Sequence, residues 1–258
     1  MGDLHGYLLG FAAIAVLAVA TWLLSVWRGD VSIVDSLWSI LFLAATCVYV
    51  QQSSPQSARA WLVLGLVALW ALRLAIYITA RNWGEGEDRR YQAIRARNQP
   101  NFAFKSLYLV FLLQGVLAWI VSLPLFFAAG STQSLGLLDY LGAVVVVFGL
   151  AFEAIGDWQL ARFKADPGNR GRVMDSGLWR YTRHPNYFGE SCVWWGFYLF
   201  ALAAGGWWSI LAPILMTAML LKVSGVALLE KDIAERRPEY AQYIRQTNAF
   251  IPGPRRLL

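Results

Sequence analysis

The residues best suited to chemistry crowd into one stretch of this chain. From Gly156 to Glu190 the sequence reads GDWQLARFKADPGNRGRVMDSGLWRYTRHPNYFGE, which sets Lys164, Arg170, Arg172, Arg180, Arg183 and His184 among Asn169, Asn186, Tyr181, Tyr187, Asp157 and Glu190. Guanidinium groups grip phosphate with paired hydrogen bonds, amides and carboxylates hold ribose hydroxyls or a carboxamide, and aromatic rings cover flat heterocycles. That is the set of groups a nucleotide requires. Turn residues at Pro167-Gly168 and Asp175-Ser176-Gly177, with Pro185 and Gly189 further on, bend the backbone often enough to wrap a ligand. A loop beside anionic lipid is also basic for headgroup contact, but that contact asks for neither His184-Pro185-Asn186-Tyr187 nor the acids.

A second polar block, Arg81-Asn82-Trp83-Gly84-Glu85-Gly86-Glu87-Asp88-Arg89-Arg90-Tyr91, lies well upstream. Taken alone it is a solvated loop with local ion pairs, each worth about 1 kcal/mol or less. Four ionisable residues fall inside apolar runs: Asp35, Arg73, Glu153 and Lys222. A charge at mid-membrane is expensive, so such residues tend to face a cavity or a partner. Asp35 stands near the start of its run. A carboxyl in an apolar pocket can stay protonated and donate a hydrogen bond, whereas pairing with Arg73 or a helix-end position is the plain alternative. Arg73 shares one helical face with Trp70 and Tyr77. Glu153 and Asp157 are one turn apart on one face, at a helix end where the dipole disfavours acids. Lys222 has the reach to snorkel and is given no role.

These residues must be positioned by membrane helices. Of the 258 residues 58% are hydrophobic and 15% charged, and the mean hydropathy is +0.47, which no ordinary soluble globular protein matches. Apolar runs of about 20 residues recur, the length a helix needs to cross a hydrocarbon core of about 30 Å. The expected fold is all-α and polytopic, with seven spans: Leu4–Trp27, Val31–Val50, Ala60–Ala80, Leu107–Ala129, Leu137–Gly156, Gly189–Ala204 and Trp207–Leu228. The loops after the third and fifth spans and the tail hold most of the Lys and Arg, while those after the fourth and sixth hold none and that after the second only Arg59. The positive-inside rule then predicts an outside amino terminus and a cytoplasmic carboxy terminus. The first run lacks a basic n-region and is read as a retained span, not a signal peptide. Trp22, Trp27, Trp61, Trp83, Trp179, Trp207 and Trp208 fall near span ends, as an aromatic belt would place them. Cys47 and Cys192 suggest neither a disulfide framework nor a metal site. No repeat is visible, and 1–258 reads as one membrane domain.

The run Gly177-Leu178-Trp179-Arg180-Tyr181-Thr182-Arg183-His184-Pro185-Asn186-Tyr187-Phe188-Gly189-Glu190 resembles the carboxy-terminal signature of the steroid 5α-reductase superfamily, particularly its bacterial branch. Related signatures occur in sterol reductases and in isoprenylcysteine and phospholipid methyltransferases. The likeness extends through Glu230 to Pro238-Glu239-Tyr240-Ala241-Gln242-Tyr243 and Phe250-Ile251-Pro252, and is weak in the first half. It implies an NADPH-dependent reductase of about seven helices with the cofactor on the cytosolic side, in a bacterial inner membrane. Residues 1–106 would form the substrate side and residues 107–258 the cofactor-binding half. By position, Asp157, Lys164 and Arg172 would contact the cofactor, Asn186 and Glu190 its nicotinamide or ribose end, and Arg183 and His184 phosphate or ribose, with Glu153, Tyr181 and Glu230 near the same site. Arg81, Asn82 and Arg89 would complete that pocket.

On the substrate side the resemblance makes Asp35 the acid that binds an enone carbonyl, among Trp38, Trp70, Arg73 and Tyr77. Eukaryotic members share that carbonyl with a tyrosine on the third helix. Here the aligned position is nearer Trp70, which leaves Tyr77 or Tyr91 as the second donor, and the choice between them stays open. The expected reaction is hydride transfer to the β carbon of a conjugated enone in a lipophilic, steroid-like substrate. Its partners are that small molecule and membrane lipid, with no nucleic acid, metal or obligate protein partner. Two alternatives stand beside it: an S-adenosylmethionine-dependent methyltransferase, and a membrane protein that binds sterol or lipid without catalysis.

Overall fold

The computed structural model describes residues 4–223, 226 and 238–256, and among them every regular element is helical. Glu230 lies outside the described residues. Five helices are long and apolar enough to cross a membrane: α1 (Leu4–Arg28), α2 (Ile33–Gln52), α3 (Ala58–Asn82), α5 (Phe102–Val121) and α7 (Leu137–Ala165). A short polar helix, α4 (Arg89–Arg97), separates α3 from α5, and α6 (Leu123–Ala129) follows α5. The sixth expected span corresponds to α8 (Pro185–Ala203), which begins four residues earlier than the apolar run because Pro185 opens the helix. The seventh corresponds in its described part to α9 (Leu211–Ala218), between a 3₁₀ turn and a π-helical stretch at Met219–Val223, and α10 (Pro238–Gln246) lies in the tail.

The helix ends carry ordinary chemical signals. Gly29, at φ 68°, takes the left-handed conformation that stops α1 just after Arg28. The Ser57 hydroxyl accepts from the Ala60 amide to start α3, and the Asp88 carboxylate accepts from the Arg90 amide to start α4. The expected fourth span is not one straight helix. Its first half contains a π-helical stretch at Leu107–Leu112, and it breaks after Ser122, where Pro124 can donate no backbone hydrogen bond.

The chain forms two compact units, the first taking in the chain up to Asp139 together with Phe200–Ser209. There α2 packs against both α1 and α3, and the hydroxyl of Ser39 donates to the Ala71 carbonyl at 2.8 Å inside the α2–α3 seam. Trp70 is fully buried with its ring against Phe42, which in turn meets Trp38. At the far end of this unit Arg59, 1% exposed, holds Asp139, 0% exposed, through two hydrogen bonds of 2.6 and 2.9 Å. Ser131 Oγ, the Ser134 carbonyl and the Gly136 amide complete the shell around this pair.

The second unit takes in Tyr140–Leu199 and the described residues from Ile210 onward. Its helices α7 and α8 touch through glycines. A Cβ on Gly189 would lie 2.6 Å from the Glu153 amide and the Gly149 carbonyl, and one on Gly196 would lie 2.6 Å from Val146. Small residues let two helices approach to backbone contact, which fixes the register of α7 against α8. That register aligns the acids of α7 with the start of α8.

Candidate functional site

The first unit gathers one polar cluster where α2, α4 and α5 meet. The Tyr91 hydroxyl donates to Asp35 Oδ1 at 2.6 Å, and Arg90 Nη2 donates to Asp35 Oδ2 at 2.7 Å. Gln114 Nε2 reaches the Tyr91 hydroxyl at 3.4 Å. Tyr91 is 6% exposed and packs with Val34, Val110 and Phe111. Burial and then the negative charge of Asp35 push its phenol well above the ordinary tyrosine range, so it remains a protonated donor. Burial acts against the Arg90 charge, but Asp35 and Asp88 outweigh it and hold the guanidinium firmly protonated.

Helix α4 is held in place from several sides. Glu87 Oε1 accepts from the Val31 amide at 3.0 Å, and both of its oxygens accept from Arg95. Arg95 also donates to the Gly29 carbonyl and lies over the Phe102 ring, 4.7 Å from its centre. The Asp88 amide donates to Ser32 Oγ at 2.6 Å. Burial works against the carboxylates of Glu87 and Asp88, yet Arg95 and Arg90 respectively outweigh it and keep both below the usual carboxylate range. A stretch that looks like a solvated loop is thus clamped onto the α1–α2 turn.

Sequence singled out Asp35 and Tyr91, and the structure brings them together. Both oxygens of Asp35 stand in hydrogen bonds, and the cation beside it is Arg90. Arg90 and Gln114 were missed. Gln114 was findable as a lone polar side chain in an apolar run, where such residues tend to face a site. Arg90 becomes visible only once Asp88 is recognised as the residue that starts a helix.

The other substrate-side candidates are spread along α2 and α3. Trp38 and Tyr77 are half-buried, as is Arg73, and Trp70 is buried in the α2–α3 packing. Tyr77 lies under Arg81, whose guanidinium is 5.8 Å from the ring centre and whose Nε donates to Asn82. Arg89 is exposed. Asn82 lines a cleft of about 270 Å³ with Arg28, Ser32, Ser36, Thr79 and Trp83. An open, mostly apolar groove of about 660 Å³ shares Thr79 and Trp83 with that cleft and runs along Ala75, Ile76 and Ala80.

The second unit collects the nucleotide-type residues around the α7–α8 seam. Glu153 and Asp157 are buried on α7, and His184 and Glu190 are buried at the start of α8. Asn186 Nδ2 donates to Asp157 Oδ1 at 3.3 Å. The His184 ring stacks on Tyr187, nearly parallel and 5.4 Å away. Lys164, Arg172 and Tyr181 are exposed.

Arg183 holds the tail. It is 7% exposed, its Nη1 donates to the carbonyls of Ile244 and Thr247 at the end of α10, and its amide donates to Asn248. These are the carbonyls a helix leaves unsatisfied at its C-terminus. The neighbouring Thr182 hydroxyl donates to Phe250, the Tyr181 carbonyl accepts from Gly253, and the Tyr243 hydroxyl donates to Trp179. The tail is therefore fastened to the segment before Pro185 by backbone and side chain alike. Among the described residues no cluster of His, Cys, Asp or Glu is arranged to hold a metal ion.

Residues 21–247 match the model of a family described as a protein of unknown function, DUF1295. The chain is also 27% identical over 277 residues to the uncharacterized protein C594.04c of Schizosaccharomyces pombe, an alignment that covers 96% of this chain and 78% of that relative. No solved structure matches the chain significantly. With most of its length matched, the chain belongs to the DUF1295 family, within the steroid 5α-reductase-like superfamily.

Proposed function

We propose that this protein is a membrane-embedded, NADPH-dependent reductase that saturates the carbon–carbon double bond of a conjugated enone in a lipophilic, steroid-like substrate. It would cross a bacterial inner membrane seven times, with its basic loops and tail in the cytoplasm. The observation that carries this proposal is the 2.6 Å hydrogen bond between Tyr91 and Asp35, in which a polar pair of the type needed at a carbonyl stands among apolar side chains. The cleft lined by Ser32, Asn82 and Ser36, the residue after Asp35, and the apolar groove that meets it at Thr79 and Trp83 suit a molecule with one polar end.

The donor set of the second unit fits NADPH. Exposed Lys164 and Arg172 would take its phosphates, and Asn186, Asp157 and Glu190 would hold ribose hydroxyls or the carboxamide. NADPH, when bound, supplies the hydride. The Tyr91 hydroxyl would turn from Asp35 towards the carbonyl oxygen and stabilise the negative charge that grows there, while Val34, Val110 and Phe111 hold the ring in place. Burial of Tyr91 excludes water that would otherwise compete for that hydrogen bond.

Purified protein in lipid nanodiscs, given NADPH and a panel of 3-oxo-4-ene steroids, tests the proposal. Enone-dependent NADPH oxidation, lost in Tyr91→Phe, is the expected outcome. Retention of S-adenosylmethionine without binding of NADPH would favour a methyltransferase and defeat the proposal.

A further inference from the structure

Arg90 bridges two acids. Its Nη2 meets Asp35 at 2.7 Å and its Nε meets Asp88 at 3.0 Å. Asp88 also caps the helix at the amide of Arg90, at 2.8 Å, so one carboxylate fixes both the backbone and the side chain of this arginine. Asp88 is in turn tied to α2 through Ser32. The guanidinium therefore reaches Asp35 from a base with little freedom.

Arginine keeps its charge at every accessible pH, and its bonds to carboxylate are roughly twice as strong as neutral ones. The Asp35 side chain is only 16% exposed. In such a place an uncompensated carboxylate would tend to take up a proton. With Arg90 present, both oxygens of Asp35 accept, one from Arg90 and one from Tyr91. An ionised carboxylate has no proton to offer. The hydroxyl of Tyr91 has one and lies 3.4 Å from Gln114 Nε2, while the ring is seated against Arg90.

We infer that Arg90 is the positioning residue of this cluster: it keeps Asp35 an acceptor, so that Tyr91 alone of that pair can donate to a ligand, and the site selects ligands that present an acceptor oxygen there. The inference rests on the proposed function only in identifying that oxygen as an enone carbonyl. On binding, the Tyr91 hydroxyl would rotate from Asp35 to the ligand while Arg90 retains the carboxylate, and no covalent bond changes.

Infrared difference spectroscopy of the full chain in nanodiscs, with aspartate carboxyls isotopically labelled, reads this directly. Wild type minus Asp35→Asn should show the paired carboxylate stretches of Asp35 and no protonated carboxyl band. Arg90→Gln should bring that protonated band in, and Arg90→Lys should largely restore the carboxylate. If Asp35→Asn does not fold, Tyr91→Phe supplies the difference, since loss of the donated hydrogen bond shifts the stretches of its acceptor. A protonated Asp35 in wild type, or an unchanged carboxylate in Arg90→Gln, would overturn the inference. Neither NADPH nor turnover enters the measurement, so a failure to reduce any steroid would defeat the proposed function and leave this result standing.

Discussion

Tyr91 lies 56 residues from Asp35 in the sequence, and its hydroxyl donates to that carboxylate at 2.6 Å. The pairing depends on α4 folding back over the α1–α2 turn, since Tyr91 is on a short polar helix and not on a membrane span.

Loss of the Tyr91 hydroxyl should therefore act on catalysis more than on folding. Removing one donor from a developing oxyanion lowers turnover by about a hundredfold to a thousandfold. Tyr91→Phe is expected to lose kcat to that extent, with a much smaller change in KM for an enone. A change confined to KM would mean that Tyr91 only binds.

The buried pair Arg59–Asp139 is predicted to be a stabilising element whose halves need one another. Truncating one member of such a pair strands the other charge and costs about 3–5 kcal/mol. Denaturation of Arg59→Ala and of Asp139→Ala should each show a loss of that size. The double variant Arg59→Leu/Asp139→Leu should be closer to wild type than either. Equal and additive losses would show that the pair is not coupled.

Acid should loosen the α4 clamp. Glu87 and Asp88 have folded-state pKa values below their unfolded ones, because Arg95 and Arg90 outweigh the effect of burial. Their contribution is thus complete above the ordinary carboxylate pKa of about 4 and is lost as pH falls through the depressed folded values. Hydrogen exchange at the amides of residues 87–97 should rise over that acidic window. In Arg95→Gln it should already be raised at neutral pH.

Arg183 should govern the tail. Hydrogen bonds to a charged group contribute about 1.5–3 kcal/mol each, so Arg183→Ala is expected to release α10 and speed proteolysis within residues 238–256. Loss of NADPH affinity with unchanged proteolysis would instead assign Arg183 to the cofactor.

Close packing at the α7–α8 seam should leave no room for a methyl group at Gly189. Gly189→Ala drives a Cβ against the backbone of α7, for a loss of about 1–3 kcal/mol. Wild-type thermal stability in that variant would contradict the seam geometry.

The membrane helices were legible in the sequence because an apolar run of span length has few other ways to satisfy its backbone. The same holds for Glu153 and Asp157, whose spacing put them on one face and whose burial follows from it. Helix α4 was not legible, since it is short and charged and its one apolar stripe, Tyr91 and Ile94, is too brief to show a period. Its place is fixed by Glu87 bridging Val31 and Arg95, a contact between segments far apart in the chain. For that reason Arg90, the cation that meets Asp35, was hidden. Arg183 illustrates the same limit, since only the fold brings to it the tail carbonyls that it caps.

Transfer of label from NADPH carrying deuterium at its hydride position tests the central claim most directly. Mass spectrometry of a 3-oxo-4-ene steroid incubated with the purified protein should find the saturated ketone with one deuterium from the cofactor and one hydrogen from solvent, and Tyr91→Phe should form it at least a hundredfold more slowly. No saturated product from any enone in the panel, with methyl transfer from S-adenosylmethionine in its place, would contradict the account.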